Sequence, residues 1–366
     1  MEKDFKPFES VKNVIDGHVH IMHDFDNERN IDFTHGFEAY REKCGLKYIA
    51  VASLPSGNLP MPRDVSNNIL CAFYKLLNKN TFAYGGYIYP SYPAKKSEMG
   101  GMELPSQYEE LMEIGFDGIK MLEGKPNLYK KVGQRLDGEL FDKVFEKMEK
   151  DGTYILMHVL DPEHFWTTPN DFLIKEGWYY GDGTYPTSAD LYSQIDNILE
   201  KYPNLNLCLA HFFFCSAKAR KLESMFEKYK NLSIDITPGG EMYVDFDANP
   251  EFYKEFFKKY SDRICFGTDI DFPSTLESNI WLCDRVYRFL ATDDTIMSFG
   301  DKNLTGISLP KECLQRIFSD NLLNKFGGMP REINKNALKK YIEKYKHLIE
   351  DKNLAKKIDE LSKIYL

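Results

Sequence analysis

Eight short apolar runs, rich in β-branched and aromatic residues, recur along this chain of 366 residues, and most of them are separated by stretches with helical spacing. The runs are Val14–Ile21, Tyr48–Leu54, Phe82–Tyr89, Phe116–Leu122, Thr153–Leu160, Leu205–Phe212, Leu232–Thr237 and Ile264–Ile270. Continuously apolar strands that alternate with helices are typical of a parallel sheet covered on its outer face. Eight such units predict an α/β protein with a closed (β/α)8 TIM barrel. The alternative is a doubly wound open sheet, which usually has fewer strands and a glycine-rich first turn, and no GxGxxG or GxxxxGK[ST] motif follows any run.

The pattern changes after the Gly327–Pro330 segment, where a charged, helix-periodic sequence runs to the end of the chain. We therefore predict a barrel domain over residues 1–328 and a C-terminal helical tail over residues 329–366. The tail is expected to pack on the barrel or on a partner subunit.

Charge and cysteine usage limit the classes of partner. With 47 Lys and Arg against 56 Asp and Glu, the formal charge is -9, which argues against binding to nucleic acid or to an anionic membrane. No apolar stretch approaches the length of a membrane span, and no secretory signal is visible. The seven cysteines are scattered without a CxxC pair, which favours reduced thiols and a cytoplasmic protein.

The motif Ile15–His20, IDGHVH, lies on the first predicted strand. Alternation along a strand puts His18 and His20 on the same side, where both side chains could face one ion. Taken alone, the pair is equally compatible with two hydrogen-bonded histidines in a half-buried strand.

Further metal-ligating residues fall near the ends of other runs. His158 lies near the end of the fifth run, His211 near the end of the sixth, and Asp269 at the end of the eighth. In a parallel barrel these ends meet at the catalytic face. Histidines together with a carboxylate suit a first-row divalent ion, zinc most readily, with an open position for water.

These motifs resemble the amidohydrolase superfamily, and within it the amidohydrolase-related branch of metal-dependent TIM-barrel hydrolases and decarboxylases. The family pattern of HxH on strand one, His on strands five and six and Asp on strand eight is matched by DGHVH, LMHVLDPEHFW, LCLAHF and ICFGTD, followed by a terminal helix like SDNLLNKFG. The resemblance covers roughly residues 11 to 328. It also suggests a homodimer.

The resemblance implies a role for each matched residue. His18, His20, His158 and Asp269 would bind one divalent ion, for which the ligand chemistry favours zinc, with manganese or iron as alternatives. His211 would polarise a substrate carbonyl or move a proton.

Lys120 stands where binuclear members of the superfamily carry a carboxylated lysine, which would bridge a second ion. Two other interpretations are preferred: a lysine side chain that reaches solvent from a strand end, or one that contacts an anionic substrate.

A metal-activated water, with Asp269 as proton acceptor and His211 stabilising the oxyanion, describes hydrolysis of a small organic amide, lactone or ester. The first alternative is nonoxidative decarboxylation of a small aromatic or enol acid, which the same branch also performs. The second is a barrel that has lost catalysis and only binds a ligand.

Other residues are candidates for contacting a small-molecule substrate. His164, Trp166 and Tyr185 lie in the long segment Asp161–Thr187 after the fifth run. Trp166 and Tyr185 could contact the substrate or pack the loop on itself, and His164 could be a further acid or base or form a hydrogen bond within the loop. Arg63 could clamp a carboxylate, although a surface arginine is the preferred interpretation, and Glu241 could hold a hydroxyl or an amine.

Overall fold

Nine parallel strands form the main sheet in the computed structural model, which describes residues 8–21, 36–55, 57–58, 62–63, 66–272, 274–297 and 303–366. The strands are β1 Ile15–Ile21, β2 Tyr48–Ala52, β3 Thr81–Gly85, β4 Gly118–Gly124, β5 Tyr154–Val159, β6 Leu207–Leu209, β7 Ser233–Asp235, β8 Ile264–Cys265 and β9 Ile270–Phe272. Each lies within or overlaps a predicted run or directly follows one. Their order in the sheet is β8-β7-β6-β5-β4-β3-β2-β1-β9.

The two edge strands of this order, β8 and β9, are successive pieces of one interrupted strand. β8 pairs with β7, and β9 pairs with β1. Between them, the amide of Gly17 donates to the carbonyl of Phe266 at 3.0 Å, and the amide of Asp269 donates to the carbonyl of His18 at 2.8 Å. The sheet therefore closes on itself, and the predicted (β/α)8 barrel is confirmed.

The barrel interior is apolar at the end where the strands begin. Alternate strand residues fill it, among them Ile15, Tyr48, Phe82, Tyr84, Tyr154, Leu156, Cys208 and Cys265. Phe326, from the helix Asn321–Phe326, stacks on Phe82 with ring centroids 4.3 Å apart and thereby covers this end. The opposite end of the barrel is left for polar side chains.

Helices surround the barrel and end at glycine or asparagine caps in several places. The α-helices are Glu38–Lys43, Ser66–Leu77, Leu104–Ile114, Pro126–Val132, Glu139–Asp151, His164–Thr167, Asp171–Lys175, Ser188–Lys201, Ala219–Lys228, Gly240–Ala248, Pro250–Lys259, Leu276–Ala291, Lys311–Gln315, Asn321–Phe326, Lys335–Tyr345 and Lys352–Tyr365. Helix Glu139–Asp151 is typical: it buries Leu140, Val144 and Met148 on one face and ends at Gly152, whose φ of 67° suits glycine. Within the described ranges, no helix has the length and apolarity needed to cross a bilayer.

Shorter elements complete the described structure. They are the 3-10 turns Lys96–Glu98, His211–Phe214, Ser216–Lys218 and Lys346–Leu348, a π-helical turn Arg316–Asp320, and the antiparallel pairs Gly57–Asn58 with Pro62–Arg63 and Thr295–Met297 with Asn303–Thr305.

The C-terminal helices pack on the barrel. The hydroxyl of Tyr341 accepts a hydrogen bond from Asn68 at 2.8 Å, and Tyr345 donates to Glu110 at 2.9 Å. The segment before these helices crosses so close to Gly115 that a Cβ there would lie 2.2 Å from the carbonyl oxygen of Glu332. Of the two predicted positions for the tail, the structure shows the one on the barrel, while the division into two domains stays a prediction.

Candidate metal site

The two histidines of the HxH motif face the barrel interior because β1 contains a bulge. The register of β1 against β2 shifts between Asp16 and Val19, so that three steps along β1 lie opposite two along β2. Before the shift, Ile15 packs with the barrel interior, and after it Val19 packs with the outer core. The bulge therefore resets the alternation, so that His18 and His20 both point inward.

Gly17 allows this bulge to pack against the closing strand. A Cβ on Gly17 would lie 2.3 Å from Leu322 Cδ2 and 2.9 Å from the carbonyl oxygen of Phe266. Any other residue would push β1 away from the segment that carries Asp269.

His18, His20 and Asp269 bring their ligand atoms together. His18 Nε2 lies 3.1 Å from His20 Nε2, and Asp269 Oδ1 lies 3.4 Å and 3.1 Å from these two atoms respectively. Two ligand atoms that are each ~2.1 Å from an ion and subtend ~90–110° at it are ~3.0–3.4 Å apart. The three atoms thus have the spacing of ligands that share one divalent ion.

The tautomers of both histidines are fixed by acceptors that contact their Nδ1 atoms. His18 Nδ1 lies 2.8 Å from Asp235 Oδ2, and His20 Nδ1 lies 3.1 Å from the carbonyl oxygen of Ala52. Because these two oxygens can only accept, each Nδ1 carries the hydrogen and each Nε2 presents a lone pair. Two lone pairs and a carboxylate oxygen at such distances repel one another unless a cation lies among them, and the ammonium of Lys120, 2.8 Å from His18 Nε2, supplies one positive charge at this centre.

His158 and His211 form a second pair beside this group. His158 Nδ1 lies 3.1 Å from His211 Nε2. His158 Nε2 is 2.9 Å from the carbonyl oxygen of Leu160, and His211 Nδ1 is 2.9 Å from the hydroxyl of Thr237. If His158 Nε2 and His211 Nδ1 donate to these oxygens, His158 Nδ1 and His211 Nε2 are both acceptors, and they face each other.

Asp269 lies between the two groups. Its Oδ1 faces the HxH histidines, and its Oδ2 lies 3.9 Å from His211 Nε2. The predicted ligand His158 thus lies beside His211, not within the compact group, and its place in the metal shell stays a prediction. Asp269 lies in the interruption between β8 and β9, with a φ of 58°, instead of at a strand end.

Lys120 reaches the same centre from β4. Its Nζ lies 2.8 Å from His18 Nε2, and the residue is buried. The side chain does not extend to solvent, so contact with an anionic substrate and carboxylation remain the two interpretations to test.

Burial sets the charge state of the centre. It lowers the pKa of His18 to about 4, with a further contribution from Lys120, and it lowers the pKa of His158 to about 3. Burial alone would raise the pKa of Asp269, but the surrounding histidines outweigh it and hold that pKa well below its usual value. At neutral pH His18 and His158 are therefore neutral imidazoles and Asp269 is an ionised carboxylate, which are the forms that bind metal.

Residues 103–321 match a family model described as amidohydrolase, and this match covers more than half of the chain. The chain belongs to the amidohydrolase family. The resemblance seen in the sequence is confirmed. The matched segment contains His158, His211 and Asp269, whereas His18 and His20 precede it.

Three solved structures share the amidohydrolase barrel at low identity. A 5-carboxyvanillate decarboxylase from Novosphingobium aromaticivorans, complexed with manganese and 4-hydroxy-3-methoxy-5-nitrobenzoic acid, is 15% identical, with a TM-score of 0.56 over 89% of this chain and 99% of the other. A 4-oxalomesaconate hydratase from Rhodopseudomonas palustris is 12% identical, with a TM-score of 0.52 over 86% of this chain and 96% of the other. A probable 2-pyrone-4,6-dicarboxylic acid hydrolase from Acinetobacter baumannii, with citric acid bound, is 13% identical, with a TM-score of 0.50 over 86% and 99%. At these identities the likeness establishes the fold alone, and no curated protein matches the chain.

The loop after β5 packs largely on itself. Trp166 Nε1 donates to the carbonyl of Pro186 at 3.0 Å, and its ring meets Tyr180 edge-on at 5.0 Å. Tyr185 packs on Tyr180 at 4.9 Å and lies beneath the ammonium of Lys130 at 4.1 Å. These contacts fit the packing interpretation of Trp166 and Tyr185, and their contact with substrate stays a prediction.

The other three substrate candidates differ in how the structure places them. His164 is exposed on a short helix, with its ring edge-on to Phe165 at 4.8 Å. Glu241 lies in the first turn of helix Gly240–Ala248, where burial raises its pKa against the opposing influence of His211 and His164. Arg63 belongs to a two-residue strand, but its side chain lies outside the described part of the structure.

Sequence reasoning missed two buried carboxylates that hold the site together. Asp235 contacts His18, as described above. Asp16 accepts hydrogen bonds from the hydroxyls of Tyr40 and Thr268 at 2.7 and 2.6 Å and from the amide of Thr268 at 3.1 Å, next to Asp269. Each lies within or beside an apolar run, as in SIDIT, and a charged residue within such a run was the available signal.

Backbone strain marks the turn that carries His211. His211, Phe212, Phe213 and Phe214 have φ of 56°, 55°, 55° and 49°, a left-handed region that costs free energy for residues other than glycine. Strand β6 therefore ends at Leu209, earlier than the predicted run. The turn also places the Phe214 ring 5.5 Å from that of His158 and 5.4 Å from that of His211.

Proposed function

We propose that this protein is a metal-dependent hydrolase that acts on a small organic amide, lactone or ester. The observation that carries the proposal is the compact group of His18 Nε2, His20 Nε2 and Asp269 Oδ1, spaced 3.1–3.4 Å apart with both imidazole tautomers fixed. A divalent ion held there would lower the pKa of a bound water from ~15.7 toward neutrality.

Asp269 and His211 would handle protons in this reaction. Asp269 Oδ2 faces away from the HxH histidines and toward His211, so it can accept a proton from the attacking water and return it to the leaving group. His211 Nε2 presents a lone pair when the ring is neutral, and as an imidazolium it can donate to the oxyanion that forms.

The proposed cofactor is one divalent ion bound by His18, His20, His158 and Asp269. Zinc suits this ligand set, but the decarboxylase from Novosphingobium contains manganese, so manganese and iron are tested beside it. A second ion would require carboxylation of Lys120 and would use the acceptor nitrogens of His158 and His211. A homodimer is proposed as well, by family resemblance, and a cytoplasmic location is proposed from the scattered cysteines.

Nonoxidative decarboxylation is the second candidate, and Lys120 favours it. A decarboxylase must hold an acidic substrate beside its metal, and Lys120 Nζ lies 2.8 Å from His18 Nε2 inside the barrel. The named functions of the structural relatives include a decarboxylase, a hydratase and a probable hydrolase, so turnover has to decide.

The first experiment is metal analysis by plasma emission on protein purified without added ions. We expect about one equivalent per chain. The His18→Ala variant should lose it, and the control His347→Ala, in the C-terminal tail, should retain it. Two equivalents would favour the bridged site, and no metal after reconstitution with zinc, manganese or iron would contradict the proposal.

Metal-loaded protein should then be screened against lactones, esters, amides and hydroxylated aromatic acids. Acid release by pH-stat titration reports hydrolysis of esters and lactones, and release of carbon dioxide reports decarboxylation. Ligand binding without turnover in either assay would favour the binding-only barrel.

A further inference from the structure

Asp235, at the end of β7, receives four hydrogen bonds although it is buried. Its Oδ2 lies 2.8 Å from His18 Nδ1. Its Oδ1 accepts from the amide of His211 at 2.7 Å and from the hydroxyl and the amide of Thr237 at 2.6 and 3.2 Å. One carboxylate thus contacts both groups of site histidines through different oxygens.

The two oxygens fix two tautomers by different routes. Oδ2 accepts the hydrogen of His18 Nδ1 directly, which keeps the lone pair on His18 Nε2, the atom that Lys120 Nζ contacts at 2.8 Å and that would bind an ion. Oδ1 accepts the hydroxyl hydrogen of Thr237, so the hydroxyl oxygen accepts from His211 Nδ1 at 2.9 Å and leaves His211 Nε2 as an acceptor.

Oδ1 also holds the strained turn. The amide of His211 begins the left-handed stretch after β6, and its hydrogen bond to a buried charge is a strong one. The position of the His211 side chain therefore depends on the same carboxylate as the tautomer of His18.

We infer that Asp235 is a positioning residue that sets the proton positions on both His18 and His211. The inference rests on the proposed function for its metal readout, but its tautomer readout does not. It also predicts that the two effects can be separated by choosing which oxygen of Asp235 is altered.

Asp235→Asn should disturb the His18 side alone. Three donors converge on Oδ1, so the amide oxygen of asparagine must remain there and its NH2 group must face His18 Nδ1. A donor at that position requires the lone pair on Nδ1 and moves the hydrogen to Nε2, where it blocks metal binding. We expect affinity for Mn²⁺ or Zn²⁺ to fall by about 10–100-fold, as for loss of an outer-sphere partner.

Thr237→Val should disturb the His211 side alone. Valine removes the hydroxyl between Asp235 and His211 while the contact of Oδ2 with His18 is kept. Metal affinity should stay at the wild-type value. The His211 ring keeps only the longer contact of Nδ1 with the carbonyl oxygen of Thr237, at 3.3 Å, so its tautomer preference should weaken. Asp235→Ala should show both defects.

The experiment measures each variant in two ways. Competition with a chelator gives the Mn²⁺ and Zn²⁺ affinities, and ¹⁵N NMR of histidine-labelled, metal-free protein gives the ring tautomers, assigned by His18→Gln and His211→Gln. Asp117→Asn is the matched control, because Asp117 is a buried carboxylate that accepts from Lys75 and contacts no site histidine in the described structure. It should lower stability without changing affinity or tautomers.

The outcomes separate the inference from the proposed function. Unchanged affinity and an unchanged His18 tautomer in Asp235→Asn would overturn the inference while the metal site stands. A wild-type protein that binds neither ion would overturn the proposed function, and the tautomers would still test the inference. Should Asp235→Asn fail to fold, Thr237→Val alone decides: an unaltered His211 ring overturns the inference.

Discussion

Two buried polar clusters lie at opposite ends of the barrel, and they differ in how donors match acceptors. At the end where the strands begin, Asp117 accepts from Lys75 Nζ at 2.5 Å and from the amides of Ala83 and Arg331 at 2.8 Å each. Lys75 also donates to the carbonyl of Gly115 at 2.7 Å. The positive charge of Lys75 is thus paired directly with the negative charge of Asp117.

In the cluster at the other end of the barrel, where the strands end, acceptors outnumber donors. His18 and His20 place acceptor nitrogens 3.1 Å apart beside the Asp269 carboxylate, and His158 and His211 place two more 3.1 Å apart. The ammonium of Lys120 contacts His18 Nε2 at 2.8 Å, but the converging acceptors outnumber this charge. A balanced cluster stabilises the fold, whereas a surplus of converging acceptors is a site for a cation. Burial alone does not distinguish the two, because Asp117 and Asp235 are both buried.

Asp269→Asn should have the largest effect on catalysis. The amide can still offer an oxygen to the ion but cannot accept a proton, so we expect kcat to fall by about 10²–10⁴-fold, the usual contribution of a general base. The measurement is kcat on the substrate found by screening, normalised to bound metal. A variant that keeps its metal and more than half of the wild-type kcat would exclude Asp269 as the proton acceptor.

Lys75→Met should have the largest effect on stability. It leaves the Asp117 carboxylate buried without its cation, which costs about 3–5 kcal/mol. Urea denaturation measures the loss. Metal content of the folded fraction should be unchanged, and loss of metal together with stability would show that the two clusters are not independent.

The sequence predicts the strands of the barrel better than it predicts the geometry of the site. Parallel strands buried on both faces appear as apolar runs, so all eight strand positions are predicted. The HxH motif and the three distant candidates His158, His211 and Asp269 also lie together, at the end of the barrel where the strands end. The bulge at Gly17, the left-handed turn at His211 and the break at Asp269 are backbone events that depend on tertiary contacts, and no local pattern announces them.

The pairing of His158 with His211 was likewise beyond sequence reasoning, because side-chain direction after a strand end depends on those backbone events. The same holds for Trp166 and Tyr185, whose residue types fit both loop packing and substrate contact. Only their observed contacts with Pro186, Tyr180 and Lys130 favour packing.

Gly17→Ala should have a moderate effect, on the backbone that positions His18 and Asp269. The added methyl group would lie 2.3 Å from Leu322 Cδ2 and 2.9 Å from the Phe266 carbonyl oxygen, and such overpacking costs about 1–3 kcal/mol. Because the shift separates β1 from the segment with Asp269, metal affinity should fall with stability. Ala substitution at Gly101, where nothing lies within 4 Å of the added atom, is the control for metal affinity. An unchanged affinity in Gly17→Ala would show that the bulge does not position His18.

Tyr180→Phe should have the smallest effect and tests how far the site cluster extends into the loop. The Tyr180 hydroxyl donates to Asp161 Oδ2 at 2.6 Å, while Asp161 Oδ1 lies 3.2 Å from His158 Nε2. Lys125 still pairs with Asp161 at 2.5 Å, so the carboxylate stays in place, and the lost hydrogen bond to a charged group costs at most about 1.5–3 kcal/mol of local loop stability. We expect faster proteolysis within residues 161–187 and unchanged metal affinity. A fall in metal affinity would instead show that Tyr180, through Asp161, helps to hold His158, and the loop would then belong to the site cluster instead of merely covering it.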